Sequence, residues 1–169
     1  MLVNNTLFRR IELQQLMNLT ARAFGKPSKR IWTLPNDKAL HVYAEYTRDH
    51  LQDNMNEQLL QRMNKEAYKM GRLLRSVFFL KQQADIERFT IALYRNIGIE
   101  LDGSIPGQLC FRRCFFSHYY TPDICLAASA LDDGIIRGLT GKGRLTFQQR
   151  ITEGCKCCMA TFHDAETTK

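Results

Sequence analysis

The sequence predicts an α+β fold, in which a helical N-terminal half is packed with a small antiparallel sheet in the C-terminal half. Apolar residues recur at steps of three and four through residues 1–100, whereas alternation with a period of two appears later in the chain. A chain of 169 residues with 44% hydrophobic residues is long enough to bury one core. We therefore expect a single domain over residues 1–169, mainly helical over 1–100 and forming strand, helix, strand and strand over 108–163.

Four helices are predicted in the N-terminal half. The first covers residues 7–25 and ends at a glycine, which suits a left-handed C-terminal turn. The second begins after an N-cap at Asn36 or Asp37, because these side chains accept hydrogen bonds from the first helical turn. The third covers residues 59–78 and has the strongest amphipathic pattern of the chain, and the fourth covers residues 86–98.

The C-terminal half contains all six cysteines. Residues 99–107 are rich in turn formers, so a turn and hinge is predicted there, followed by a strand over 109–117. Thr121 and Pro122 predict the start of a helix, because the threonine hydroxyl can cap the first turn and a proline at the first helical position loses no needed hydrogen bond.

Strict alternation over residues 144–152 predicts a half-buried strand. In this pattern Gln149 and Ile151 share one face with the apolar residues, and Arg150 lies on the other face. A reversal at Gly154 is followed by a last predicted strand over residues 157–163. The sheet is therefore expected to contain at least three strands.

Composition and charge exclude several classes of partner. The net charge of +7 is spread along the chain without a basic stripe, so no nucleic acid partner is expected. The apolar runs are far shorter than the ~20 residues that cross a bilayer, so no membrane partner is expected. The N-terminal residues lack a secretory signal. We expect a cytoplasmic protein with free thiols, and a homo-oligomer is compatible with the sequence.

Two carboxylates are candidates for acid–base chemistry. Asp132 or Asp133 is predicted to face small, apolar neighbours on its helix, where desolvation would raise its pKa, and the other aspartate is predicted to be solvated. Because Asp132 shares a helix stripe with Cys125, we select Asp132, and Glu153 is the second candidate. The alternative interpretation is an ion pair that packs the helix, for instance with Arg150.

Cys114 and Cys158 are candidate nucleophiles, provided that a cation or His118 lowers a thiol pKa. The alternative is that both thiols are buried and inert. Cys110 and Cys114 are predicted to lie on one face of a strand about 13 Å apart, too far to share one ion. No cofactor is therefore predicted, and a zinc site is the less favoured alternative. Aromatic side chains with polar tips are predicted at the mouth of a pocket, namely His118, Tyr119 and Tyr120.

The stretch over residues 110–162 resembles the L-2-amino-thiazoline-4-carboxylic acid hydrolase family. In that family a helical N-terminal part is followed by a cysteine-containing strand, a helix with an aspartate, and a run of the form Arg-Thr-x-Thr-Ile-x-x-Gly-x-x-x-Cys-Asp-Phe. The corresponding positions here run from Phe147 through Arg150, Ile151, Thr152, Glu153 and Gly154 to Cys158.

This resemblance implies a hydrolase that acts on a small carbon–nitrogen compound such as a cyclic amidine carboxylate. Arg150 would hold the substrate carboxylate, and Asp132 or Glu153 would activate water or protonate the leaving atom. Cys114 or Cys158 would add to the amidine carbon.

The same stretch is similar to the 4-vinyl-reductase-type ligand-binding domain, a small-molecule sensor module. That domain ends in Gly-x-x-x-Cys, which matches Gly154 and Cys158, and often carries an earlier cysteine like Cys125. The second hypothesis is accordingly a non-catalytic module that binds a small-molecule ligand. A cysteine-ligated metal protein is the third hypothesis.

Overall fold

The computed structural model describes residues 6–103, 105 and 107–163, and over these residues it confirms the α+β fold. The described chain forms five α-helices and four strands. Their bounds are α1 (Thr6–Phe24), α2 (Asn36–Asn54), α3 (Glu57–Val77), α4 (Gln83–Asn96), β1 (Ile99–Asp102), β2 (Gln108–Cys114), α5 (Pro122–Thr140), β3 (Arg144–Gln149) and β4 (Cys158–His163). No helix in these ranges is long and apolar enough to cross a membrane.

The four strands form one antiparallel sheet in the order β1-β2-β4-β3. Strand β1 corrects the prediction of a turn and hinge over residues 99–107. Ile99 and Leu101 are buried and alternate with more exposed neighbours, a pattern of only four residues that the turn formers after it obscure. Ser104 and Pro106, which belong to the predicted turn, lie outside the described residues.

A β-bulge in β2 decides which cysteines face the core. Glu100 pairs with Arg113 and Leu101 pairs with Phe111, so Arg112 is an extra residue on β2. The insertion shifts the alternation by one residue. Cys114 therefore faces inward, and Cys110 faces the outer side of the sheet. The prediction that both cysteines lie on one face was wrong for this reason.

A second bulge, in β3, turns a cation inward. Phe147 pairs with Ala160 and Gln149 pairs with Met159, so Gln148 is the extra residue. Two residues after Gln148, Arg150 consequently comes to the core side of the sheet and is only 9% exposed. The predicted alternation, with Arg150 on the face opposite the apolar residues, was wrong because it assumed an uninterrupted strand to residue 152.

Other element ends differ by a few residues from the prediction. Strand β2 ends at Cys114 instead of residue 117, because Phe115–His118 forms a 3-10 helix. A second 3-10 helix, Ile151–Glu153, follows β3. Helix α2 begins at Asn36 itself, with Pro35 at the N-cap position. The predicted start of α5 is confirmed, since the Thr121 hydroxyl accepts a hydrogen bond from Ile124 N at 3.4 Å.

Helices α3 and α5 pack against each other at unusually short range. A Cβ atom at Gly138 would lie 2.4 Å from the Tyr68 backbone oxygen, and one at Gly71 would lie 2.3 Å from the Ile135 backbone oxygen. Only residues without a side chain permit this approach. The contact holds α5 against α3, and the opposite side of α5 faces the sheet and the candidate site.

Candidate functional site

A partly open cavity of about 80 Å³ lies among the helices and the inner side of the sheet. This volume has room for a few water molecules or one compact ligand. Most of its wall is apolar. The polar residues in the wall come from helices α1, α2, α4 and α5, from strand β2 and from the segment that follows it: Glu12, Tyr43, Tyr94, Cys114, Ser117, Tyr120, Cys125 and Asp132.

Asp132, on α5, is the predicted acid that lies in this wall. The Tyr94 hydroxyl donates a hydrogen bond to Asp132 Oδ1 at 2.9 Å. Burial raises the pKa of Asp132 to about 7, against the lowering effects of the Tyr94 hydrogen bond and the Arg150 charge. A carboxyl group with a pKa near neutrality can both accept and donate a proton, as general acid–base catalysis requires.

The neighbouring Asp133 has a structural role and is half-buried. Its two oxygens accept hydrogen bonds from Asn64 Nδ2 at 2.7 Å and from Leu145 N at 2.8 Å. Asp133 thus joins α5 to α3 and to the first residues of β3. The prediction of a solvated second aspartate was wrong, because helix α3 covers this side of α5.

Glu12, on α1, is a buried acid that sequence reasoning missed. It is only 3% exposed and lines the same cavity as Asp132. Asn96 Nδ2 donates to its Oε2 at 2.9 Å, and its Oε1 is buried without a hydrogen-bond partner among the described residues. Burial raises the pKa of Glu12 to about 8. The available signal was its position one turn before Leu16, in a buried stripe of the first helix.

Three thiols surround Asp132 closely enough for its charge to raise their pKa values. Cys114 and Cys125 line the cavity, and Cys158 lies beside the backbone of Ile151, whose N–H donates to its sulfur at 3.3 Å. Burial is the main cause of a pKa of about 12 for Cys114 and about 11 for Cys158. The condition for nucleophilic activation, a lowered thiol pKa, is not met at either position.

Arg150 lies close to Asp132 and does not line the cavity. Its guanidinium lies 5.1 Å from the centre of the Phe147 ring, and its Nη1 is 3.5 Å from Glu153 Oε1. Glu153 also accepts a hydrogen bond from Arg150 N at 3.0 Å and is 42% exposed. The two predicted residues therefore form an ion pair at one end of β3, with Glu153 outside the cavity.

The predicted aromatic residues separate into two groups. Tyr120 lines the cavity and stacks on Phe116 with 5.5 Å between ring centres. Tyr119 instead stacks on Phe115, and its hydroxyl contacts His41. His118 is exposed. The structure thus brings only Tyr120 of the three to the cavity.

The remaining cysteines lie away from the cavity. Cys110 and Cys157 form a side-chain hydrogen bond on the outer side of the sheet. Within the described ranges, no group of three His, Cys, Asp or Glu side chains is arranged to hold a metal ion. The thiols around Asp132 therefore share an environment without forming a ligand set.

Comparison with known proteins does not assign a family or a function to this chain. Neither the models of known protein families nor the sequences of curated proteins match this chain. The chemistry of the cavity must therefore be inferred from its own residues.

Proposed function

We propose that this protein binds a small molecule in the cavity that Glu12 and Asp132 line. The observation that carries the proposal is the combination of an apolar wall with two carboxyl groups from different helices, of which that of Glu12 is buried and that of Asp132 is half-buried. Small-molecule sites are concave and mostly apolar, with a few polar groups that orient the ligand. The size of the cavity, about 80 Å³, restricts the ligand to a compact compound.

A cavity-filling variant tests the proposal. Ala128 lines the cavity, so Ala128→Leu should occupy it, whereas Ala84→Leu adds the same volume at an exposed position of α4. Thermal shift is measured with a library of compact amides, amidines, phenols and thiols, because a ligand that binds only the folded state raises the melting temperature. We expect compounds that stabilise the wild type and Ala84→Leu but not Ala128→Leu. A library without any such compound would refute the proposal.

A hydrolase is the second candidate, favoured by the pKa of about 7 at Asp132. The resemblance to the thiazoline carboxylate hydrolases suggests a cyclic amidine carboxylate as substrate. Asp132 would take a proton from water as the water oxygen bonds to the amidine carbon, and would return it to the departing sulfur or nitrogen as the bond from that atom to the carbon breaks. Tyr94 would orient the carboxyl group. The thiols, with raised pKa values, are poor nucleophiles for this step.

Turnover of 2-amino-thiazoline-4-carboxylate, followed by proton NMR, separates the two candidates. Asp132→Asn keeps an acceptor for Tyr94 and removes the acid–base group, and Asp53→Asn is the exposed control. For an enzyme, we expect product with the wild type and the control, and none with Asp132→Asn. Binding without turnover by the wild type would leave the protein as a binding module.

A further inference from the structure

We infer that the ligand of the cavity is a compact organic cation with N–H donors, held between Glu12 and Asp132. This inference rests on the proposed function, since it specifies the charge and hydrogen bonding of the molecule that the cavity takes. Amidinium, guanidinium and small alkylammonium ions belong to this chemical class.

Glu12 supplies the first contact. Its side chain is almost completely buried, and Asn96 satisfies only one of its two oxygens. The other oxygen, Oε1, has no partner among the described residues. A buried acceptor without a donor is destabilising, and an N–H group of a ligand in the cavity would remove that penalty.

Asp132 supplies the second contact, from a different helix. Tyr94 donates its single hydroxyl proton to Oδ1, and no hydrogen bond to Oδ2 is found within the described ranges. Burial is the main cause of the raised pKa of Tyr94, and the charges of Asp132 and Glu12 raise it further, so both carboxyl groups lie near this hydroxyl. A ligand with N–H groups at two positions would therefore meet an acceptor from α1 and another from α5.

The charge of the wall favours a cation over an anion. None of the described residues that line the cavity is a lysine or an arginine. Arg9 and Arg150 are the cations whose charge reaches Glu12 and Asp132, respectively, and neither lines the cavity. In an environment of low dielectric constant, two carboxylates attract a bound cation strongly and repel an anion.

Binding of a cation is linked to the release of protons. The pKa values of about 7 for Asp132 and about 8 for Glu12 mean that both acids are largely protonated in mildly acidic solution. A cation binds the ionised forms, so its affinity rises as the pH passes through these values. The titratable or charged groups around the two acids are Arg9, Tyr43, Tyr94, Cys114, Cys125, Asp133, Arg150 and Cys158.

The test compares acetamidinium with acetamide, two probes of nearly the same shape, of which only the first is charged. Affinities are measured by ligand-observed NMR at about pH 6 and about pH 8.5. We expect acetamidinium to bind the wild type about tenfold or more tightly at the higher pH, because at least one carboxyl group must lose a proton. Acetamide should show no such dependence.

Glu12→Gln and Asp132→Asn remove the charges and keep the acceptors for Asn96 and Tyr94. Each should reduce the affinity for acetamidinium at high pH about tenfold and leave acetamide binding unchanged, and the exposed Glu45→Gln should behave as wild type. Equal affinity for the two probes, or a pH-independent affinity for acetamidinium, would overturn the inference. If compounds of the library of amides, amidines, phenols and thiols still bind in that case, the proposed function stands and only the inference of a cationic ligand is refuted. If the library fails as well, both are refuted.

Discussion

The Tyr94 hydroxyl donates a hydrogen bond to Asp132 Oδ1, and so connects α4 with α5 across the cavity. This bond lowers the pKa of Asp132, against the larger effect of burial. Tyr94→Phe should therefore raise the pKa of Asp132 above its value of about 7. It should also reduce the free energy of unfolding by about 1 kcal/mol, the usual net contribution of one hydrogen bond.

Carbon-13 NMR titration of the carboxyl groups measures the first effect, and urea denaturation measures the second. Tyr68→Phe, on α3, is the matched control, and it should change neither the pKa of Asp132 nor the free energy of unfolding. An unchanged or lower pKa of Asp132 in Tyr94→Phe would show that the hydroxyl does not stabilise the ionised acid.

The stability of the protein should fall as the pH rises from about 4 to about 8. The folded-state pKa values of Asp132 and Glu12 are raised from 3.8 to about 7 and from 4.5 to about 8. In this window the folded chain retains protons that the unfolded chain has lost, so the stabilisation is fully present below pH 4 and lost above pH 8. The loss should be on the order of 4 kcal/mol per group.

Urea unfolding at about pH 5 and about pH 8.5 tests this pH dependence. The double variant Glu12→Gln, Asp132→Asn should show a much weaker dependence than the wild type. The thiols and tyrosines with raised pKa values contribute with the same sign, but only in more alkaline solution. A wild type that becomes more stable between the two pH values would contradict the assignment.

Alkylation should show that the Cys114 thiol is unreactive in the folded protein. Burial raises the pKa of Cys114 to about 12, so its reactive thiolate is scarce near neutral pH. We expect iodoacetamide at about pH 7.5 to modify Cys114 at least about a hundredfold more slowly in the folded chain than in urea. Peptide mass spectrometry follows each cysteine separately. Equal rates in the two states would mean that Cys114 is accessible and ionised, and would restore it as a candidate nucleophile.

Gly138→Ala should destabilise the packing of α3 against α5. The new Cβ would lie 2.4 Å from the Tyr68 backbone oxygen and 2.8 Å from Arg72 N, so the helices must separate. Overpacking of this kind costs about 1–3 kcal/mol, which exceeds the gain of about 1 kcal/mol from replacing a helical glycine.

Thermal unfolding measures this effect, and Gly25→Ala is the control with a different physical basis. Gly25 has a φ of +66° and no neighbour within 4 Å of a Cβ, so only backbone strain opposes that substitution. We expect Gly138→Ala to alter chemical shifts on both α3 and α5, and Gly25→Ala to alter only those around the end of α1. A Gly138→Ala variant as stable as the wild type would show that the interface adapts readily.

Periodicity predicted the helices and the fold class because each helix buries one stripe of apolar residues, and these residues recur every three or four positions in the sequence. Strand β1 was missed because two apolar residues in four do not form a recognisable pattern. The bulges were missed because an extra residue, Arg112 or Gln148, changes the direction of the following side chains without any distinctive residue type.

The candidate site was predicted in part. Asp132, Cys114 and Tyr120 line the cavity, and Cys158 and Arg150 lie near Asp132. The contribution of Glu12 depends on the packing of α1 beside Asn96, a contact between residues 84 positions apart in the chain. No local pattern encodes such a contact, so the second acid could not be derived from helix periodicity alone.

The inward position of Arg150 depends on the bulge in β3. Regular pairing of the same residues with β4, without a bulge, would place Gln149 on the inner face and turn the arginine to solvent, whereas removal of Gln148 would make the pairing regular and leave Arg150 on the inner face. Loss of the three nucleotides that encode Gln148 would thus leave the positive charge beside Asp132, because the bulge disappears together with its extra residue. In a lineage of related chains, the presence of this bulge would be as informative about the charge near Asp132 as the identity of the arginine itself.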